Sequence, residues 1–205
     1  MDIAQFKKQP VLGIIRGAGL SSAELLAQAI IASGLRTVEV TMNTLRVTEL
    51  IKCLVRQGRG KFSVGAGTVL RKDELLQAAD AGAEFIVSPV FVPELAVLCE
   101  KKSLPFFPGA LTPHEIYHAW ESGASMIKVF PSRFFGPAYF KELKGPFPHV
   151  PLMACGGVNA DNAKEYFACG AKAIAFGAGI FKPQWLASGN FEPITQEIKK
   201  LLAAI

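Results

Sequence analysis

The sequence predicts an α/β protein, a closed (β/α)₈ (TIM) barrel with residues 1–205 forming one domain. Three observations carry this. Short apolar runs of strand character alternate with longer amphipathic stretches eight times, the strand starts recurring at about 20 to 26 residues. Half of the 205 residues are apolar and only 19% are charged, with mean hydropathy +0.30. That richness suits parallel strands buried on both faces. Finally, the first strand is followed by Gly13-x-x-x-Gly17-x-Gly19, which lacks the G-x-G-x-x-G spacing that an open dinucleotide-binding sheet would more often show.

Taken in order, the strand candidates are 11–16, 37–41, 62–67, 84–89, 104–109, 125–131, 150–155 and 171–177. The clearest helical patterns are AELLAQAIIASG (23–34) and DELLQAADAG (73–82). They end in Gly34 and Gly82, as helices closing in the left-handed conformation do. Ser22, Thr112 and Asn159 stand where N-caps are expected, and the last helix runs roughly from Pro193 to Ala204.

Composition excludes several function classes. No apolar run reaches the roughly 18 to 20 residues of a membrane span. The opening MDIAQFKKQPVLGIIRG lacks the pattern of a secretion signal. The four cysteines (Cys53, Cys99, Cys155, Cys169) are far apart with no C-x-x-C, which argues for a reduced, cytoplasmic chain. The net charge is +5, but no basic run exceeds two residues. Such scattered charge argues against nucleic acid and suits small anionic substrates.

In these barrels chemistry gathers at the C-terminal ends of the strands. Lys128 lies late in the sixth strand, between Ile127 and Val129. Burial should depress its pKa and make it a nucleophilic amine able to form a Schiff base with a ketone. The alternative is a lysine that snorkels outward or pairs with a carboxylate, and position alone leaves both open. Glu39, flanked by valines in the second strand, suits a proton shuttle with a raised pKa, or a structural ion pair with Arg16 or Lys128. Arg16 ends the first strand and Thr68 follows the third; both are placed to bind an anionic substrate. Gly156-Gly157 follow the seventh strand and Gly177-Ala178-Gly179 the eighth, positions whose bare amides commonly bind phosphate in this architecture. Glu84 and Lys172 stand at the starts of their strands and belong to the opposite end.

Two further constellations fare less well. His114 and His118 form a literal H-E-x-x-H, but no third metal ligand is identifiable. Cys155 has no histidine base beside it in the pattern and reads as a wall residue. No metal and no cofactor are expected.

The ordered set IIRG (14–17), VEVTMNT (38–44), VGAGTVL (64–70), FIVSP (85–89), PGALTPHE (108–115), IKVFPS (127–132), GPAYFKELKGPFP (136–148) and GGVNADN (156–162) covers nearly the whole chain. It resembles the 2-keto-3-deoxy-6-phosphogluconate/4-hydroxy-2-oxoglutarate aldolases, a class I family. The resemblance implies Lys128 as imine-forming lysine and Glu39 as proton shuttle. It implies Arg16, Thr68, Asn43, Pro89 and Phe130 as substrate-binding residues, and Gly156, Gly157, Gly177 and Ala178 as the phosphate site. Asn43 stands where arginine is frequent in the phosphogluconate prototype, so V-T-M-N-T looks more like the phosphogalactonate branch. The implied reaction yields pyruvate and glyceraldehyde 3-phosphate, and the implied assembly is a homotrimer. Two other readings remain at this point: a barrel epimerase or synthase on another phosphorylated ligand, and a non-catalytic phosphosugar-binding barrel.

Overall fold

A computed structural model describes residues 1–205. Nine strand segments form one parallel sheet: β1 (Val11–Ile15), β2 (Thr37–Thr41), β3 (Ser63–Gly67), β4 (Ile86–Val87), β5 (Phe106–Phe107), β6 (Gly109–Ala110), β7 (Ile127–Val129), β8 (Leu152–Cys155) and β9 (Ala173–Phe176). Ten helices accompany them: α1 (Ile3–Lys8), α2 (Ala23–Ser33), α3 (Val47–Gly58), α4 (Lys72–Asp80), α5 (Pro93–Lys101), α6 (Pro113–Glu121), α7 (Gly136–Lys144), α8 (Ala163–Ala168), α9 (Pro183–Ser188) and α10 (Glu192–Ala203). No helix is long and apolar enough to cross a membrane.

The sheet order is β5-β4-β3-β2-β1-β9-β8-β7-β6. Its two ends are consecutive in the chain, separated only by Pro108, so they are halves of one barrel strand. The expected fifth strand therefore appears as two pieces, because proline has no N–H to continue a ladder. Hydrogen bonds nevertheless run along both edges of this segment. Ile86 N donates to Pro105 O (2.9 Å) and Ser88 N to Phe107 O (3.3 Å) on one side. On the other, Ser125 N donates to Phe106 O (2.9 Å), Lys128 N to Pro108 O (2.9 Å) and Phe130 N to Ala110 O (3.1 Å). The sheet closes, and the eight-stranded barrel expected from the repeat is the fold.

Alternation along each strand sorts residues between two cores. Val38 and Val40, Ile127 and Val129 belong to the layer between strands and helices. Leu12, Phe85, Val87, Phe107, Met126, Met153 and Cys155 fill the barrel interior. The structure adds α1, which the sequence reading left without a helix. Its Phe6 is buried in the interior cluster and packs 5.6 Å from the Phe107 ring, so α1 plugs the end where the strands begin. Glu84 serves that same end, accepting from Ser63 Oγ (2.9 Å) and Val64 N (3.3 Å).

The caps sort individually. Gly34 is left-handed at the end of α2, as expected. Thr112 caps α6 and forms a reciprocal box with Glu115. Ser22 holds the N-cap position of α2 but makes no side-chain cap bond, its hydroxyl donating to Gly19 O instead (3.1 Å). Asn159 shapes the turn before α8, accepting from the N–H groups of Asp161 and Asn162, while Asn162 is the cap position.

Candidate active site

Lys128 sits in the middle of β7, in register with Gly109 on one side and Met153 on the other. With Ile127 and Val129 turned outward, period-2 alternation points Lys128 into the barrel, where it is only 6% exposed. Glu39 does the same from β2, between Val38 and Val40, and is 0% exposed. The two side chains converge with Nζ 3.8 Å from Oε1. That is an ion-pair distance but too long for a hydrogen bond. Neither carboxylate oxygen of Glu39 has a hydrogen-bond partner, which is costly for a buried charge and marks a group held ready for a partner.

Burial pushes the Glu39 carboxyl above its ordinary value, and the positive charges of Lys128 and Arg16 only partly oppose this. For Lys128, burial pulls the ammonium value down, but negative charge at Cys155 and Glu39 outweighs it and the balance is upward. The depressed lysine expected from burial alone is thus corrected by its neighbours. Burial also raises the Cys155 thiol, which the neighbouring Lys128 charge only partly opposes. The consequence is chemical. Moving one proton from Lys128 to Glu39 turns an ion pair into a neutral amine and a neutral acid, a change that low dielectric favours.

Arg16 follows β1 and Thr68 follows β3, and Arg16 Nη2 donates to Thr68 Oγ1 at 3.4 Å. Thr68 holds φ +56, a left-handed conformation rare for a β-branched residue and typical of strained functional positions. The loops after β1 and β2 are tied by Gly17 N donating to Thr44 Oγ1 (3.1 Å), itself 3.2 Å from Thr41 Oγ1. Asn43 lies on that tied loop at the same mouth, exposed, its side chain bonded to nothing in the protein. Phe130 covers Lys128, with Nζ 5.6 Å from the ring centroid. Pro89 and Phe130 line a cavity of about 440 Å³ beside the mouth that also touches Gly109 and His114 but not Lys128 or Glu39.

Gly156 and Gly157 adopt φ +101 and +84, conformations that only glycine takes readily. The N–H groups of Gly156, Gly157, Gly177 and Ala178 donate to no group of the protein. Gly177 differs in kind: its backbone is ordinary, and a Cβ there would meet Ile14 at 3.5 Å.

His114 and His118 are exposed on α6 with rings 4.3 Å apart, while Glu115 is engaged in the helix cap. No third metal-binding side chain joins them. The sequence reading missed Gly67. A Cβ there would collide with the Glu39 carboxylate, so this glycine keeps the space Glu39 occupies. The only signal was the alternate glycines of SVGAG within a strand, which mark a close approach.

The profile of the family "Aldolase: KDPG and KHG aldolase" matches residues 3–197. A 2-dehydro-3-deoxy-phosphogluconate aldolase of Treponema pallidum is 34% identical over 90% of this chain and 88% of the relative. Among solved structures, one described as native KDPGal superposes with TM-score 0.90 at 28% identity, covering 95% of this chain and 93% of the other. A KDPG aldolase of Legionella pneumophila, with pyruvate captured as a covalent carbinolamine, superposes with TM-score 0.86 at 28% identity over 94% of this chain and 93% of the other. The fold and these likenesses define a (β/α)₈-barrel aldolase, a lyase. The chain belongs to the KDPG and KHG aldolase family. Neither the epimerase or synthase reading nor the non-catalytic one is favoured.

Proposed function

We propose that this aldolase cleaves a 2-keto-3-deoxy-6-phospho sugar acid, of gluconate or galactonate type, to pyruvate and glyceraldehyde 3-phosphate through an imine at Lys128. The observation that carries this reading is the buried Lys128–Glu39 contact at 3.8 Å, with both Glu39 oxygens free of other partners.

The chemistry follows from that pair. Proton transfer to Glu39 frees the Lys128 amine, which adds to the C2 ketone. Glu39 returns the proton to the C2 hydroxyl, water leaves, and a protonated imine forms. The Glu39 carboxylate then takes the proton of the C4 hydroxyl. The C3–C4 bond breaks, its electron pair moving into the C2–C3 enamine, and glyceraldehyde 3-phosphate departs. Glu39 protonates C3, and water hydrolyses the imine to pyruvate and free Lys128. Arg16 with Thr68 would hold the substrate carboxylate, Asn43, Pro89 and Phe130 would shape the pocket, and the free amides of Gly156, Gly157, Gly177 and Ala178 would take the phosphate. The imine serves as the electron sink, so neither metal nor organic cofactor is required. A cytoplasmic homotrimer completes the reading. Leu45 and Phe134, 85% and 76% exposed, are apolar surface suited to an interface.

Supplying both C4 epimers of the phosphorylated acid, with and without EDTA, tests it. Pyruvate should form from both, unaffected by the chelator, with kcat/KM values within about a hundredfold of each other, roughly the discrimination of one polar contact. Absence of pyruvate from both epimers, or loss of activity in EDTA, would overturn the reading.

A further inference from the structure

Beside the backbone cradle lies a side chain that neither the strand-end rule nor the resemblance singled out. We infer that Arg133 is a side-chain ligand of the substrate's phosphate, a specificity-determining residue that clamps the group against the Gly156-Gly157 loop; this rests on the phosphorylated-substrate reading above.

Ser132 is fully buried. Its hydroxyl donates toward Cys155 O at 2.6 Å and Val129 O at 3.2 Å, and the Tyr166 hydroxyl donates to Ser132 O at 3.5 Å. These bonds pin the short 3₁₀ turn Ser132–Phe134 to the C-terminal ends of β7 and β8. Arg133 is the next residue, so its backbone is fixed relative to the loop that follows β8. Contact between the two is close. A Cβ on Gly157 would lie 2.8 Å from Arg133 Cβ and 3.7 Å from its Nε. The side chain therefore leaves the turn directly over Gly157, whose N–H donates to nothing in the protein.

Its charge is also uncommitted. Arg46, Arg56 and Arg71 each pair with a carboxylate, whereas Arg133 has no ion pair and no side-chain hydrogen bond. An exposed guanidinium without a carboxylate, standing over unpaired amides, matches a phosphate oxygen pair in geometry and sign. Arg16, bonded only to the Thr68 hydroxyl, and Arg133 thus present the mouth with two cations that have no ion pair. That arrangement fits a substrate anionic at both ends, with its carboxylate toward Thr68 and its phosphate toward Gly157.

Arg133→Ala and Arg133→Lys in the full chain test this. The readout is the ratio of kcat/KM for the phosphorylated acid to that for unphosphorylated 4-hydroxy-2-oxoglutarate. Arg133→Ala should lower that ratio by about 10- to 100-fold, mainly through KM, the usual worth of a hydrogen bond to a charged group. Arg133→Lys should restore part of it, since a point charge replaces the fork. In parallel, calorimetric titration with inorganic phosphate should show binding to the unsubstituted enzyme that weakens in Arg133→Ala. An unchanged ratio, or equal losses on both substrates, overturns the inference. If the unsubstituted enzyme binds phosphate through Arg133 yet cleaves no phosphorylated acid, the substrate reading fails and the anion site stands. If phosphate binding does not depend on Arg133 while phosphorylated substrate is cleaved, the clamp fails and the substrate reading stands.

Discussion

The Glu39 carboxylate occupies the space that a Cβ on Gly67 would need. β2 and β3 run in register, with Glu39 opposite Gly65 and Thr41 opposite Gly67, and the third strand leaves room at Gly67 for the inward side chain of the second, while the room at Gly65 is taken by Phe85. The carboxylate is held toward Lys128 by an absent side chain. Gly67→Ala should push Glu39 off its position while leaving Lys128 in place. Turnover should fall by about a hundredfold, the scale of an ångström-sized misplacement, while borohydride trapping of pyruvate at Lys128 persists. Near-normal turnover would mean that the position of Glu39 is not critical.

Glu39→Gln separates proton transfer from shape. The amide keeps the volume but cannot exchange a proton, so turnover should drop by roughly 10²- to 10⁴-fold. Slow imine formation with pyruvate should survive, because the amine remains. Stopped-flow pyruvate release and trapping yield, measured together, check this. Normal turnover would leave Glu39 as an ion-pair partner only.

Lys128→Met makes a pH-dependent stability prediction. Burial already raises the Glu39 carboxyl, and Lys128 is the largest opposing influence, so removing it raises the folded-state value further. A carboxyl raised in the folded state binds more protons there than when unfolded. Its contribution is complete below the ordinary value of 4.5 and is lost as pH rises through the folded value. Lys128→Met should lose stability above pH 4.5 at up to about 1.4 kcal/mol per pH unit. The double variant with Glu39→Gln should abolish that slope. Thermal melts across pH 5 to 8 decide it, and identical slopes in the single and double variants would refute it.

Phe6→Ala addresses the plug at the opposite end. Phe6 is 2% exposed and packs on Phe107, which packs in turn on Phe85 at 5.7 Å. Its removal should cost about 3 to 5 kcal/mol of stability, with kcat largely retained below the melting transition because the reactive pair lies toward the far end of the strands. Chemical denaturation and kcat on the same preparation check both halves.

What the sequence made legible depended on how much each element owes to local pattern. β1, β2, β8 and β9 lie within the expected runs because each is a strand of four or five residues built on apolar or β-branched residues. The segment 104–109 came out as two pieces because one proline breaks a ladder that the apolar pattern alone does not register. The helix α1 was illegible because six residues are too few for a helical period, and its stability comes from Phe6 docking into a core built by distant strands. At the site, Lys128 and Glu39 were readable as charges stranded among β-branched residues. Their separation and the upward balance at Lys128 were not, because the first depends on β2 and β7 facing each other across the barrel and the second on Cys155 and Glu39 arriving from other strands. Gly67 and Arg133 act through contacts 28 and 24 residues away in sequence, at Glu39 and Gly157 respectively (67 − 39 = 28; 157 − 133 = 24), and no local pattern encodes these.

The central claim is that Lys128 carries the covalent chemistry, and one measurement addresses it most directly. The full-length enzyme is incubated with pyruvate and borohydride, digested, and its peptides are mapped by mass spectrometry. The account predicts a reduced pyruvate imine on Lys128 alone, absent from Lys128→Met and formed equally well in EDTA. Modification of another lysine, such as the exposed Lys172 at the opposite end of the barrel, or no modification at all, would contradict it.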